Sequence, residues 1–170
     1  ARGSVLAEAG ADTRMIHPQD GWVEVDPEQH YRNVCGVIRE LVAAAPAEVA
    51  ALAMAAASGN TLLTAADGRP LTNIINWMDR RAEQCPPAAL ADLTAAEVSQ
   101  VTGWPCLAGF PLAHLAWLRE NDPSNYQAAS HCGMDTDWLL YRLTGQWRMD
   151  HSTATTFHLQ EQVTGTYCEP

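Results

Sequence analysis

The side chains of this sequence best suited to chemistry stand where apolar segments are interrupted. Trp77 and Asp79 directly follow an apolar segment that is typical of a strand. An aromatic ring can cover the carbon face of a sugar, and a carboxylate accepts hydrogen bonds from its hydroxyls. At the carboxyl end of a strand, such a pair is well placed to hold a polyhydroxylated ligand. The alternative is that Asp79 caps a helix beside solvated arginines.

Two other interruptions carry candidate ligand contacts. Ser58, Gly59 and Asn60 break an apolar run, which either brings the backbone close to a ligand or forms a plain bulge. Gly109 and Phe110 precede a helix and could line the mouth of a pocket, although packing in the core is the alternative for Phe110. The familiar phosphate-loop, dinucleotide, zinc-protease and nucleophile-elbow motifs do not occur in the sequence.

Composition and charge exclude several classes of protein. Of the 170 residues, 47% are apolar and 18% charged, which is enough apolar side chain for a core and excludes a disordered segment. The formal charge of −10 repels phosphate backbones, so nucleic acid and anionic membranes are not expected as partners. The five cysteines are scattered, without a CxxC pair, and the six histidines are dispersed. This pattern predicts reduced thiols in a cytoplasmic protein, with no structural metal.

The apolar patterns predict an α/β domain with a mixed sheet. Asp26 and Pro27 are typical of a helix start, and the helix should end within residues 43–46. We expect residues 4–7 to be the end of a strand and residues 49–57 to be a buried strand. Further strands are predicted at 61–64 and 73–77, around a turn at 67–70, and helices at 91–101, 112–118, from 122, at 135–143 and at 152–157.

The order of several short segments resembles the amino-terminal domain of the FGGY carbohydrate kinases. The resemblance covers nearly the whole chain, and within the family it is nearest to xylulokinase-like members. The segments are GWVEVDP (21–27), DGRPL (67–71), WMDRRA (77–82), TGWP (102–105), GFPLAHLAWLREN (109–121), DWLLYRLTG (137–145) and DHSTA (150–154).

The resemblance implies both a fold and a set of site residues. Residues 1–170 would be an incomplete N-terminal, sugar-side domain, ribonuclease H-like and of the actin/hexokinase type, with its first strand hairpin missing. Ser58 and Gly59 would take the place of a sugar-contacting dipeptide. Asp79 would be the acidic residue at the strand end, and Gly109 and Phe110 would stand on the pocket wall.

The activity that the resemblance implies is transfer of the γ-phosphoryl group of ATP, with Mg²⁺, to a hydroxyl of a ketopentose such as xylulose. By the same resemblance, we expect the ATP-binding second domain to be absent from residues 1–170 and the catalytic base to lie downstream of Pro170, so the chain alone should bind no cofactor and be inactive. The alternatives are a kinase for ribulose, glycerol or erythritol, a non-catalytic sugar-binding module, and a bare structural domain.

Two departures from the family pattern stand out. Residues 58–60 replace the Met-His-Gly expected of a xylulokinase, which makes the pocket smaller, removes an imidazole and leaves the identity of the sugar open. His114 stands where the family has a lysine that we expect at a helix surface. Since the resemblance implies that residues 1–170 lack the first strand pair, we also expect an unpaired sheet edge and self-association, with a homodimer as one form.

Overall fold

Short strands that pair in antiparallel fashion carry the candidate site. The computed structural model describes residues 3–46 and 48–167. Its strands are β1 (Glu24–Val25), β2 (Leu62–Thr64), β3 (Ile74–Ile75) and β4 (His131–Gly133). β1 pairs with β3, β2 pairs with β4, and a bridge between Thr61 and Ile75 joins the two pairs. The strands therefore lie in the spatial order β1, β3, β2, β4.

The helices begin and end at local capping signals. Asp26 accepts a hydrogen bond from the Gln29 N–H at 2.9 Å and caps the first helix, with Pro27 in its first turn, as predicted. Left-handed glycines end two others, as expected from the sequence. The helices are α1 (Pro27–Ala44), α2 (Ala95–Thr102), α3 (Pro111–Asn121), α4 (Pro123–Ala128), α5 (Asp135–Thr144) and α6 (His151–Thr155), with a 3-10 turn at Ala88–Leu90.

The core lies on both faces of the strands, since successive strand side chains point to opposite sides. Leu62 and Ile74 pack with Trp138 of α5, and Tyr31 of α1 covers the same cluster. The next residue of each strand packs on the other face, against α3. Those residues are Leu63 and Ile75, which pack with Leu118 of α3.

The expectation of strands at residues 4–7 and 49–57 is wrong. Both segments are irregular, and Leu6, Val49 and Leu52 are at least half exposed. The apolar pattern of 49–57 consists mostly of alanine, which is depleted in strands. A strand also needs a neighbour for its backbone groups, and among the described residues none pairs with this segment.

Three other boundaries differ from the expected ones. The predicted strand at 73–77 is ordered as a strand only at Ile74–Ile75. The second helix begins at Ala95, because Thr94 and Glu97 form a capping box. The last helix begins at His151 and ends at Thr155.

None of the helices in residues 3–46 and 48–167 is long and apolar enough to cross a membrane. The four cysteines in those residues, Cys35, Cys85, Cys106 and Cys132, are free thiols, and Cys168 lies outside the described residues.

Candidate functional site

Three loops bring together five of the seven site residues predicted from the sequence. The loops precede β2, follow β3 and precede α3. A Cβ atom built on Gly59 would lie 2.9 Å from the Cβ of Trp77 and 3.2 Å from a ring carbon of Phe110. We call this group the loop cluster; its members are Gly59, Asn60, Trp77, Gly109 and Phe110.

Asn60 is the buried centre of the loop cluster. Its Oδ1 accepts a hydrogen bond from the Trp77 N–H at 3.0 Å, and its Nδ2 donates to Oδ1 of Asp135 at 2.9 Å. Both ends of the amide therefore have partners within the protein. Asn60 fixes the backbone of Trp77 and ties it to the first turn of α5.

Glycine is required at two positions of the loop cluster, because neighbouring atoms come too close for a side chain. A Cβ on Gly109 would lie 2.1 Å from the backbone oxygen of Trp77, closer than any side chain permits. Gly59 has φ +100°, a conformation that favours glycine. Residues 58–60 lie in an irregular segment before β2 and do not form a bulge within a strand.

The aromatic residues of the loop cluster differ in exposure. Phe110 is buried and packs edge-to-face on Trp104, with ring centroids 5.4 Å apart. Trp77 is 48% exposed. The surface that the loop cluster offers a ligand is therefore mainly the indole of Trp77.

The side chain of Asp79 is buried against Arg81 and does not cap a helix. Its carboxylate is 2% exposed and accepts hydrogen bonds from the Val23 N–H at 2.6 Å and from Nε of Arg81 at 2.9 Å. Burial alone would raise the pKa of Asp79, but the hydrogen bonds from Arg81 and Val23 and the charge of Arg81 outweigh it and lower the pKa below its ordinary value. Arg81 also donates to Glu24 at 2.6 Å.

Ser58 lines a different concave surface. A groove of about 580 Å³ runs between residues 52–58, the first turn of α5 and residues 148–153. Ser58 and Asp137 both line it, whereas the residues of the loop cluster do not.

Asp137 is a titratable group that the sequence reasoning missed. It is 5% exposed, and its Oδ2 accepts a hydrogen bond from the Met134 N–H at 2.8 Å. Burial raises the pKa of its carboxyl to about 7, and the charges of Asp135 and Asp150 act in the same direction. An aspartate two residues after another at a helix start was the only signal in the sequence.

His114 was expected at a helix surface, and that expectation is wrong. Its side chain is fully buried, because α3 turns this face toward β2, and its Nδ1 lies 2.8 Å from Oγ1 of Thr61. Burial lowers the pKa of His114 to about 4, so the imidazole is neutral at pH 7.

Asp137 and His114 should give opposing pH dependences of stability. The raised pKa of Asp137 adds stability that is lost as the pH rises through about 7, whereas the lowered pKa of His114 adds stability that is lost as the pH falls toward about 4. In Asp137→Asn this opposing contribution is lost, and the lowered pKa values of His114 and His158 remain. The variant's free energy of unfolding should therefore rise by roughly 2 kcal/mol between about pH 5 and 6.5, whereas the unsubstituted chain should change little. Urea unfolding at several pH values measures this.

Asp92→Asn is the matched control, because it makes the same chemical change at an exposed position. Its pH profile should follow that of the unsubstituted chain. If Asp137→Asn also follows that profile, the assignment of a raised pKa to Asp137 is wrong.

The described residues offer no cluster that would hold a metal ion by protein ligands alone. Within residues 3–46 and 48–167, no group of three or more His, Cys, Asp or Glu side chains could hold a metal ion.

Comparison with known proteins identifies the family. The family model for the FGGY family of carbohydrate kinases, N-terminal domain, matches residues 1–169. The glycerol kinase of Gloeobacter violaceus is 34% identical over 144 residues, which are 84% of this chain and 29% of that enzyme. The glycerol kinase of Methylibium petroleiphilum is 33% identical over 162 residues, 91% of this chain and 32% of that enzyme. The chain thus spans about a third of the length of the curated relatives it matches.

Solved structures confirm the fold. The gluconate kinase from Lactobacillus acidophilus superimposes with a TM-score of 0.85 at 23% identity, over 93% of this chain and 32% of that one. The xylulose kinase from Rhodospirillum rubrum gives 0.85 at 22% identity, over 98% of this chain and 35% of that one. The predicted α/β fold of the actin/hexokinase type is therefore confirmed. By its family match and its relatives, this chain belongs to the FGGY family of carbohydrate kinases, which are ATP-dependent phosphotransferases, and corresponds to the family's N-terminal domain.

Proposed function

We propose that this chain is the sugar-side part of a kinase that phosphorylates a hydroxyl of a small polyol or ketose. The observation that carries the proposal is the loop cluster, which fixes the backbone of Trp77 and leaves the residue half-exposed within a chain of this family. The ATP-binding domain and the catalytic base lie outside these 170 residues in this proposal, and the protein acts in the cytoplasm, with self-association as a further expectation.

The residues of the loop cluster divide into contact and positioning roles. Trp77 contacts the carbon face of the ligand, since its indole is the exposed surface. Gly59 and Gly109 allow close approach of backbone to the ring and to the ligand. Asn60 and Asp79 act as positioning residues, because their polar atoms already have protein partners. Phe110 packs on Trp104 and lies beside Gly59, and it closes the inner side of the loop cluster.

Ser58 is a further proposed ligand contact at the entrance to the neighbouring groove. Bound ATP would supply the phosphoryl group, and Mg²⁺ would supply the positive charge that neutralises it. This chain's residues bind and orient the acceptor hydroxyl and exclude water from one side of it.

The substrate is a small polyol in this proposal, and two candidates lead. Glycerol is supported by relatives at 33–34% identity that are glycerol kinases. A ketopentose such as xylulose is supported by the segments 21–27 and 109–110, which are nearest to xylulokinase-like members. Ribulose and erythritol follow as further candidates.

A thermal-shift panel separates these candidates. A ligand that binds only the native state stabilises that state, by about 2.7 kcal/mol when the ligand concentration is a hundred times the Kd. The melting temperature therefore rises. We expect one of glycerol, D-xylulose, D-ribulose and erythritol to raise the melting temperature, and Trp77→Ala to reduce that rise.

Tyr126→Ala is the control, since Tyr126 is an exposed aromatic residue on α4, outside the loop cluster. It should respond to the ligand like the unsubstituted chain. A panel in which no polyol changes the melting temperature, or a rise that is as large in Trp77→Ala as in the unsubstituted chain for every ligand, contradicts the proposed site.

A further inference from the structure

A second concave site lies between the strands and helices α3 and α4, away from the loop cluster. It is a cavity of about 280 Å³. We call it the tryptophan pocket and define it by Trp22, Asn73, Arg81, Trp117 and Asn125, all of which line it. No residue of the loop cluster lines it.

Two tryptophans form a corner in this pocket. The ring centroids of Trp22 and Trp117 are 5.2 Å apart and their planes are nearly perpendicular, at 87°. Both residues are half-buried. An indole corner of this kind offers an apolar face to the carbon skeleton of a small ligand.

Arg81 supplies a buried donor at the back of the corner. Its side chain is 4% exposed, and its Cζ lies 3.8 Å from the centroid of Trp22. Nε and Nη2 donate to Asp79 and Glu24. Within the described residues Nη1 donates to no partner, so one directed N–H pair remains for a ligand.

Hydrogen bonds donated by the NH₂ group fix the orientation of three asparagine side chains around the pocket. Asn73 donates to Glu24 at 2.7 Å, Asn125 to Asp122 at 2.8 Å and Asn121 to the backbone oxygen of Trp117 at 3.0 Å. Each partner is an acceptor only, so each amide must present its NH₂ group there. Its Oδ1 is therefore turned the other way, and none of the three accepts a hydrogen bond from the described residues.

The charge of the surroundings selects against an anion. The carboxylates of Glu24, Asp79 and Asp122 outnumber the one guanidinium of Arg81. A negatively charged ligand would meet net repulsion, and the cation–π position over Trp22 is already taken by Arg81. A neutral molecule with several hydroxyls, each both donor and acceptor, matches the one guanidinium donor, the amide oxygens and the indole faces.

We propose that the tryptophan pocket is a binding site for a neutral polyhydroxylated molecule of polyol or monosaccharide size, separate from the loop cluster. The ion pairs of Arg81 explain the positions of its Nε and Nη2 atoms. They do not explain why Nη1 and the three amide oxygens have no partner among the described residues, or why the volume beside them is open. This proposal does not depend on the kinase activity, since it concerns binding at a different surface.

The test is a titration of the ¹⁵N-labelled 170-residue chain followed through its indole N–H signals. Six tryptophans give six signals, and Trp22→Phe, Trp77→Phe and Trp117→Phe assign the three that matter. The probes are glycerol, erythritol, xylitol and D-glucose. We expect at least one of them to shift the Trp22 and Trp117 signals in a saturable way, with an affinity that is independent of Trp77.

Asn125→Ala should weaken that saturable binding at least tenfold, whereas Gln127→Ala, at an exposed position on the same helix, should leave it unchanged. The melting temperatures of both variants show that the fold is kept. The proposal is overturned if no probe moves the Trp22 and Trp117 signals to saturation, if only Trp77 responds, or if Asn125→Ala binds as tightly as the unsubstituted chain.

Discussion

Replacing Arg81 with methionine is expected to lower the free energy of unfolding by roughly 3–5 kcal/mol. The substitution leaves Asp79, 2% exposed, and Glu24, 8% exposed, as buried carboxylates without their cation. It also removes the contact of the guanidinium with the face of Trp22. Because an unpaired buried carboxylate can take up a proton, the loss should be larger at pH 8 than at pH 5. Urea unfolding followed by circular dichroism measures both values.

The neighbouring arginine is the matched control. Arg80 is 68% exposed in its side chain and pairs with Glu83 at the surface, so Arg80→Met should have little effect on the free energy of unfolding. Equal losses for the two variants, or a loss for Arg81→Met that does not depend on pH, would contradict the buried ion-pair cluster.

Gly109→Ala is expected to weaken polyol binding at the loop cluster at least tenfold and to destabilise the fold by roughly 1–3 kcal/mol. The added methyl group would lie 2.1 Å from the Trp77 backbone oxygen, which is not the end of a flexible side chain. Since Asn60 holds Trp77 by its N–H, either that hydrogen bond or the loop before α3 must move. Thermal unfolding with and without the ligand found in the panel measures both effects.

Gly36→Ala makes the same change where there is space. A Cβ on Gly36 meets no atom within 4 Å, and the residue lies within α1. This variant should be stabilised by about 0.5–1 kcal/mol and should bind the ligand normally. If Gly109→Ala behaves like Gly36→Ala, the close contact between Gly109 and Trp77 does not shape the site.

The helices could be predicted from the sequence because their ends depend on a few adjacent residues. Asp26 and Pro27 mark the start of α1, and Gly103 and Gly145 end α2 and α5 in left-handed conformations. Residues 49–57 could not be predicted in this way, since pattern alone does not show whether another strand lies beside a segment.

The members of the loop cluster could be predicted in part, because they too are marked by adjacent residues in the sequence. Its members interrupt or follow apolar segments, and this placement indicated a site before the three loops were known to meet. The roles within it were not predictable, because they depend on tertiary hydrogen bonds. Asn60 uses both ends of its amide within the protein, and Asp79 is buried against Arg81.

The titration behaviour of His114 and Asp137 was hidden from the sequence altogether. Their pKa values, about 4 and about 7, are set mainly by burial, which is a property of the packed fold. A histidine on an apolar helix face and an aspartate near a helix start look ordinary in a sequence.

The most direct test of the central claim is a measurement of phosphoryl transfer by the natural polypeptide that carries this sequence. Purified with Mg²⁺ and ATP, it should release ADP in proportion to one added polyol or ketose, and Trp77→Ala should raise the KM for that acceptor. Tyr126→Ala should leave the KM unchanged. Failure to release ADP with glycerol, xylulose, ribulose, erythritol or gluconate would contradict the assignment of this chain to a working sugar kinase.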